Sequence, residues 1–256
     1  MTILNINNEN KIIAYKKHIA TKFDSPTIIF HHGFMSDMNG DKATYIEKYC
    51  IDHNFNFIRY DNYGSGESSG LITEQTLSTW LNAGRHIINE LTTKKNIIHV
   101  GSSLGAWIAT ILSLENPKQT VGLINIAPAF DFTENLIWDK FTQEEQNKLL
   151  KEKIYYLTTN DKSYQYSITL DLILDARQYL LLNKNNIQVN HPVHLIHGMK
   201  DAQVDYRISQ KFVEKISGGN VVLKLVQEGN HKLSRKQDLE LISSSISEII
   251  SCNNLQ

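Results

Sequence analysis

An α/β fold, with a mostly parallel central sheet and helices on both faces, is what this sequence predicts, and three observations predict it. Short β-branched runs alternate with longer amphipathic stretches almost from end to end, the pattern of a sheet wound with helices. Most of the short runs are apolar at nearly every position, as strands covered on both faces must be. All four prolines, Pro26, Pro117, Pro128 and Pro192, fall at the inferred edges of elements, where no ladder donor is required.

Taken in order, residues 2–6 and 11–15 flank Asn7-Asn8-Glu9-Asn10, a turn-rich linker, and predict an antiparallel N-terminal hairpin at the edge of a mixed sheet. Residues 27–32, 55–60, 96–100, 121–127, 193–197 and 221–226 follow as strands. Between the fourth of these and Pro192 the short rhythm breaks. That stretch carries Trp138, Phe141, Leu149, Leu150, Tyr155, Tyr156 and an apolar run over 170–182, with helical spacing over much of it. We expect a helical cap insertion over residues 131–191, set into a core formed by residues 1–130 and 192–256; the plainer alternative is an ordinary pair of packing helices.

Composition narrows the function classes. With 256 residues, 41% of them hydrophobic, the chain supports one sizeable domain with its own core. Lys and Arg number 26 against 27 Asp and Glu, so no electrostatic footprint for nucleic acid or for an anionic membrane is implied. A small molecule is the expected partner. Cys50 and Cys252 are too few for a disulfide framework and show no CxxC spacing, which fits a reducing compartment. No stretch approaches the ~18 apolar residues of a membrane span, and residues 1–20 do not read as a targeting segment. A cytoplasmic location is therefore expected. No His/Cys/Asp cluster has metal spacing, so neither metal nor organic cofactor is expected.

Directly after the strand at 96–100 comes Gly101-Ser102-Ser103-Leu104-Gly105, and then the helical Ala106-Trp107-Ile108-Ala109-Thr110. Gly-x-Ser-x-Gly between strand and helix is a nucleophile elbow, a turn so tight that only small residues fit two places either side of the serine. Ser103 is the candidate nucleophile. A serine hydroxyl needs a base, and the base needs a group to fix its tautomer. Asp201, in His197-Gly198-Met199-Lys200-Asp201, follows the strand at 193–197, and His231, in Glu228-Gly229-Asn230-His231, follows the strand at 221–226. Both arrive at the sheet edge where catalytic groups collect. Asp131 and Asp205 remain alternative acids, while His191, His194 and His197 precede Asp201 and so fit the chain order less well than His231. Two amides are needed for an oxyanion: Leu104, next to the nucleophile, supplies one, and Phe34, in His31-His32-Gly33-Phe34-Met35, the other. His31, His32 and His99 read as structural histidines, Ser102 as the small residue the elbow requires, and Cys50 as a small hydrophobe.

These residues together resemble the α/β-hydrolase superfamily. The stretches Ser36-Asp37-Met38-Asn39-Gly40, Asp61-Asn62-Tyr63-Gly64-Ser65-Gly66-Glu67-Ser68-Ser69-Gly70, Gly101 to Trp107 and His197 to Asp201 are similar in particular to its mitochondrial palmitoyl-protein thioesterases, which also cleave acyl glucuronides. The likeness runs from about Pro26 to about Ser234. It implies the α/β-hydrolase fold, Ser103 as nucleophile, Asp201 as acid, His231 as base, and Phe34 and Leu104 as oxyanion amides. The expected activity is a serine hydrolase acting on carboxylic esters or thioesters, acyl thioesters among them, with a small-molecule or lipid-acyl substrate. A C–C bond or amide hydrolase of the same fold, a non-catalytic binding protein, and a cap-mediated protein interaction are the competing readings.

Overall fold

The structure, a computed structural model, describes residues 2–6, 11–22, 24–158 and 165–254. The chain opens with β1 (Thr2–Ile6), β2 (Lys11–His18), β3 (Thr27–His31), α1 (Asp41–Asp52), β4 (Asn56–Tyr60), α2 (Leu77–Leu91), β5 (Ile97–Ser102), α3 (Leu104–Glu115) and β6 (Thr120–Ile126). After an insertion holding α4 (Gln143–Glu152), β7 (Ile154–Thr158), β8 (Gln165–Thr169), α5 (Leu170–Ala176) and β9 (Ile187–Gln188), it returns through β10 (Val193–Gly198), α6 (Arg207–Val213), β11 (Ile216–Ser217), β12 (Val221–Val226) and α7 (Lys236–Cys252).

Among the described residues, eight strands form one sheet in the order β1-β2-β4-β3-β5-β6-β10-β12. β1 pairs antiparallel with β2, and β2 antiparallel with β4; every other neighbour is parallel. The N-terminal hairpin therefore forms the expected edge, although its turn at residues 7–10 lies outside the described residues. β2 runs on beyond residue 15, because Tyr15 to His18 find partners in Tyr60 to Phe57 of β4.

Alternate strand residues feed two cores. Ile29, Ile97 and Leu123 pack with α2, α3 and the insertion, while Ile28, Phe30, Ile98, Val100, Ile124 and Ile126 pack with α1 and α7. Burial on both faces explains why these strands read as unbroken apolar runs rather than alternating ones. Because β3, β5, β6, β10 and β12 are parallel, the loops that leave them meet at one edge of the sheet.

The insertion carries the expected helices and also an antiparallel hairpin, β7 with β8, in which Tyr155 faces Ile168. Helical spacing over much of the stretch predicts helices, whereas Tyr155 and Tyr156 lie in β7. The helix stops one turn early because Lys153 takes a left-handed conformation, φ 65°, and the aromatic and β-branched residues beyond it run extended. At the base of the insertion the carboxylate of Asp131 accepts the amides of Leu181 (2.8 and 3.0 Å) and Leu182 (2.8 Å). The insertion is tied to the core where Trp107 Nε1 donates to the Tyr179 carbonyl at 3.1 Å and where the amide and hydroxyl of Ser78, in α2, donate to the Asp175 carboxylate at 2.8 and 2.6 Å.

Candidate active site

Between β5 and α3 the chain turns at Ser103 with φ 57° and ψ −119°, a sparsely populated region for a residue with a Cβ. Neighbours on both sides hold it there. Its amide donates to the Ile126 carbonyl at 2.9 Å, and its carbonyl accepts from the Ala129 amide at 3.2 Å, so β6 grips the turn. Glycine is obligatory at the flanks. A Cβ at Gly101 would lie 2.2 Å from the Gly105 carbonyl oxygen, and one at Gly105 only 2.0 Å from that of His31.

The loops after β10 and β12 reach Ser103 by running close together. Lys200 donates its amide to the Gly229 carbonyl at 2.9 Å, and a Cβ at Gly198 would sit 2.3 Å from that same oxygen. The result is one hydrogen-bonded chain. His231 Nε2 lies 3.1 Å from Ser103 Oγ, and His231 Nδ1 lies 2.7 Å from Asp201 Oδ2. With Nδ1–H donating to the carboxylate, Nε2 is left to accept the serine proton. Asp201 Oδ1 accepts the amides of Gln203 (2.8 Å) and Val204 (2.9 Å). Burial pushes this carboxyl up, but the donors from His197 and His231 outweigh it and hold Asp201 well below the usual carboxylate range.

The loop after β3 passes directly over the serine: a Cβ at Gly33 would stand 3.3 Å from Ser103 Cβ. His32 braces that loop, its Nδ1 donating to the Gly33 carbonyl at 2.8 Å and its Nε2 accepting from the Asn62 amide at 3.0 Å. Phe34 and Leu104 line the same cavity as Ser103, and among the described residues neither amide has a protein acceptor. That cavity, about 810 Å³, is within the usual range for small-molecule sites. Phe132, Leu136, Ile137, Thr158 and Tyr166 of the insertion form one wall; Ser36, Asp37, Asp41, Lys42 and Lys232 form a polar one.

The alternative acids are elsewhere. Asp205 faces outward, 3.1 Å from Arg207, and Asp131 is engaged by the insertion amides. His194 lies 3.6 Å from Glu248, on α7. His31 joins Tyr60 Oη (2.9 Å) to His99 (3.1 Å) in the core, where burial holds the rings of both histidines below their ordinary pKa. Cys50 is buried in α1, with its thiol pushed up by desolvation. His197, which chain order had set aside as a base, stands on the far side of Asp201, with Nε2 3.1 Å from the same Oδ2 that His231 uses. Its place four residues before Asp201, at the end of a strand, was visible in the sequence; the direction of its ring was not.

Among the described residues no group of side chains has metal-ligand geometry, and no helix is long and apolar enough to cross a membrane.

This fold recurs in known proteins. The family described as serine aminopeptidase, S33, matches residues 25–238. The human palmitoyl-protein thioesterase ABHD10, mitochondrial, is 34% identical over 242 residues, covering 93% of this chain and 76% of its own. The mouse α/β-hydrolase domain-containing protein 10 superposes with a TM-score of 0.88 at 31% identity, covering 98% of both chains. A putative hydrolase from Agrobacterium vitis S4 does so with a TM-score of 0.90 at 31% identity, covering 97% of both. With its sheet order, its strand–turn–helix at Ser103 and these likenesses together, the chain belongs to the serine aminopeptidase S33 family of α/β-hydrolases.

Proposed function

We propose that this protein is a serine hydrolase of acyl esters and thioesters, with Ser103 as nucleophile, His231 as general base, Asp201 as the acid that orients it, and the amides of Phe34 and Leu104 as the oxyanion hole. The observation that carries the reading is the unbroken chain Ser103 Oγ, His231, Asp201, with distances of 3.1 and 2.7 Å, opening on an apolar-walled cavity.

In this mechanism His231 Nε2 takes the Ser103 proton as Oγ attacks the acyl carbonyl. The carbonyl π electrons move onto oxygen, and that oxyanion meets the two amides. Collapse expels the thiolate or alkoxide, which receives the proton from His231, and an acyl-Ser103 ester remains. Water then attacks with His231 again as base, and the carboxylic acid leaves as Ser103 is reprotonated. The insertion at residues 131–191 serves as the cap that shields the acyl chain. Support for thioesters comes from the likeness to ABHD10, named as a palmitoyl-protein thioesterase. The free Cys50 and Cys252 suit a reducing compartment, which we read as cytoplasmic.

A second reading, amide hydrolysis, is favoured by one observation, the serine aminopeptidase description of the matching family. A panel of p-nitrophenyl esters, acyl thioesters of increasing length and aminoacyl arylamides separates the two. We expect kcat/KM for acyl thioesters or esters to exceed that for arylamides at least about a hundredfold, near the upper end of what fit alone in an apolar pocket supplies. Arylamide turnover on a par with the thioesters would overturn the proposal.

A further inference from the structure

Asp201 is held by two histidines, and only His231 reaches the serine. The other, His197, is buried at the end of β10. Its Nε2 faces two acceptors, Asp201 Oδ2 and the Val204 carbonyl, both at 3.1 Å, so the ring proton sits on Nε2. Nδ1 is then an acceptor, and Ser209 Oγ of α6 lies 2.7 Å from it, placed to donate. The chain through the site is therefore longer than a triad: Ser209 to His197, His197 to Asp201, Asp201 to His231, His231 to Ser103.

Two consequences follow from Oδ2 serving both rings. The carboxylate has four N–H donors, two from histidines and two from the Gln203 and Val204 amides, so its orientation is set without solvent. In addition, an oxygen that shares its charge between two donors is a weaker acceptor for each of them. We propose that His197, anchored by Ser209, is a positioning residue that fixes Asp201 and, by taking part of the charge on Oδ2, restrains the basicity of His231. This rests on the proposed role of His231 as base.

Charged groups around the pair stay constant in the tests below. They are Asp205 with Arg207 beyond His197, the exposed Lys200 and Glu228 pair on the two loops, and Lys232 beside His231, whose carbonyl accepts from Lys42 of α1. His197→Leu removes the ring with its contacts to Asp201, Val204 and Ser209, and leaves all the charge of Oδ2 facing His231. The imidazolium is then favoured, and the acid limb of the kcat/KM profile moves to higher pH, by roughly half a unit to one unit. At neutral pH kcat/KM falls about tenfold, from the shift together with a looser carboxylate. His197→Gln, whose amide nitrogen reaches the same place, restores the wild-type midpoint.

The experiment is the pH profile of ester turnover for the wild type, His197→Leu and His197→Gln, with the titration of the His231 ring followed by NMR in a Ser103→Ala background. A raised midpoint in the leucine variant, restored in the glutamine variant, is the expected result. An acid limb in His197→Leu that overlays the wild type, or one displaced equally in His197→Gln, would overturn the proposal. Where His197→Leu does not fold, Ser209→Ala decides: a smaller upward shift supports the role, an unmoved midpoint refutes it. Because the NMR titration needs no turnover, a wild type that hydrolyses nothing sinks the proposed function while the His197 inference is still tested.

Discussion

At Gly105 a single added methyl group would stand 2.0 Å from the carbonyl oxygen of His31, a contact that backbone alone must relieve. Gly105→Ala is expected to cost about 3 kcal/mol in urea unfolding, the upper range for overpacking. It should also depress reactivity of Ser103 in whatever fraction stays folded, since His31 leads directly into the Gly33–Phe34 turn. At this scale the sequence was readable wherever a residue's place follows from the strand before it. Ser103, Asp201 and His231 each come just after a β-branched run, and parallel strands bring their ends to one edge. His197 shows the limit. Its backbone position was plain, but its contact with Asp201 depends on which way a buried ring turns, and on a serine of α6 that no motif connects to it.

The insertion is joined to the core at Asp131, which reaches the chain again at Leu181 and Leu182. Burial pushes the Asp131 carboxyl up to about 6, against the opposing pull of those two amides. An acid with a raised folded-state pKa binds its proton more tightly when folded, so its stabilising contribution is complete below the unfolded value near 4 and is lost as pH rises through about 6. About two units at ~1.4 kcal/mol each sets the scale at up to about 3 kcal/mol. Asp131→Asn suits the test, because asparagine tolerates the φ of 55° found there and cannot ionise. The stability of the wild type relative to Asp131→Asn should fall by about 2 kcal/mol between pH 4.5 and pH 7, measured by chemical unfolding at each pH; a constant difference would contradict the account. Of the elements, the strands of the core and their helices were legible because both-face burial writes itself as unbroken apolar runs. The hairpin of the insertion was not. Leu149 and Tyr156 stand seven residues apart, a spacing that fits one face of a helix, and the left-handed Lys153 that separates α4 from β7 has no signal of its own in a lysine side chain.

For the whole molecule, the proposed acyl substrate would set its apolar arm against the insertion side of the cavity and its polar leaving group toward α1 and the loop after β12. Leu136 lines the apolar wall. In Leu136→Trp the added volume should reduce kcat/KM for long-chain thioesters by about tenfold or more, the worth of a few methylenes in a pocket, with short-chain esters held within about twofold; equal losses at every length would show that the insertion does not contact the acyl chain. All of this depends on Ser103 carrying the acyl group. The most direct test is to treat the wild type and Ser103→Ala with a fluorophosphonate and with a slowly hydrolysed acyl ester, and to locate the adduct by peptide mass spectrometry. A single adduct on Ser103 in the wild type and none in Ser103→Ala, with turnover lowered by several orders of magnitude in the variant, is the predicted result. Labelling at another residue, or hydrolysis that survives in Ser103→Ala, would contradict it.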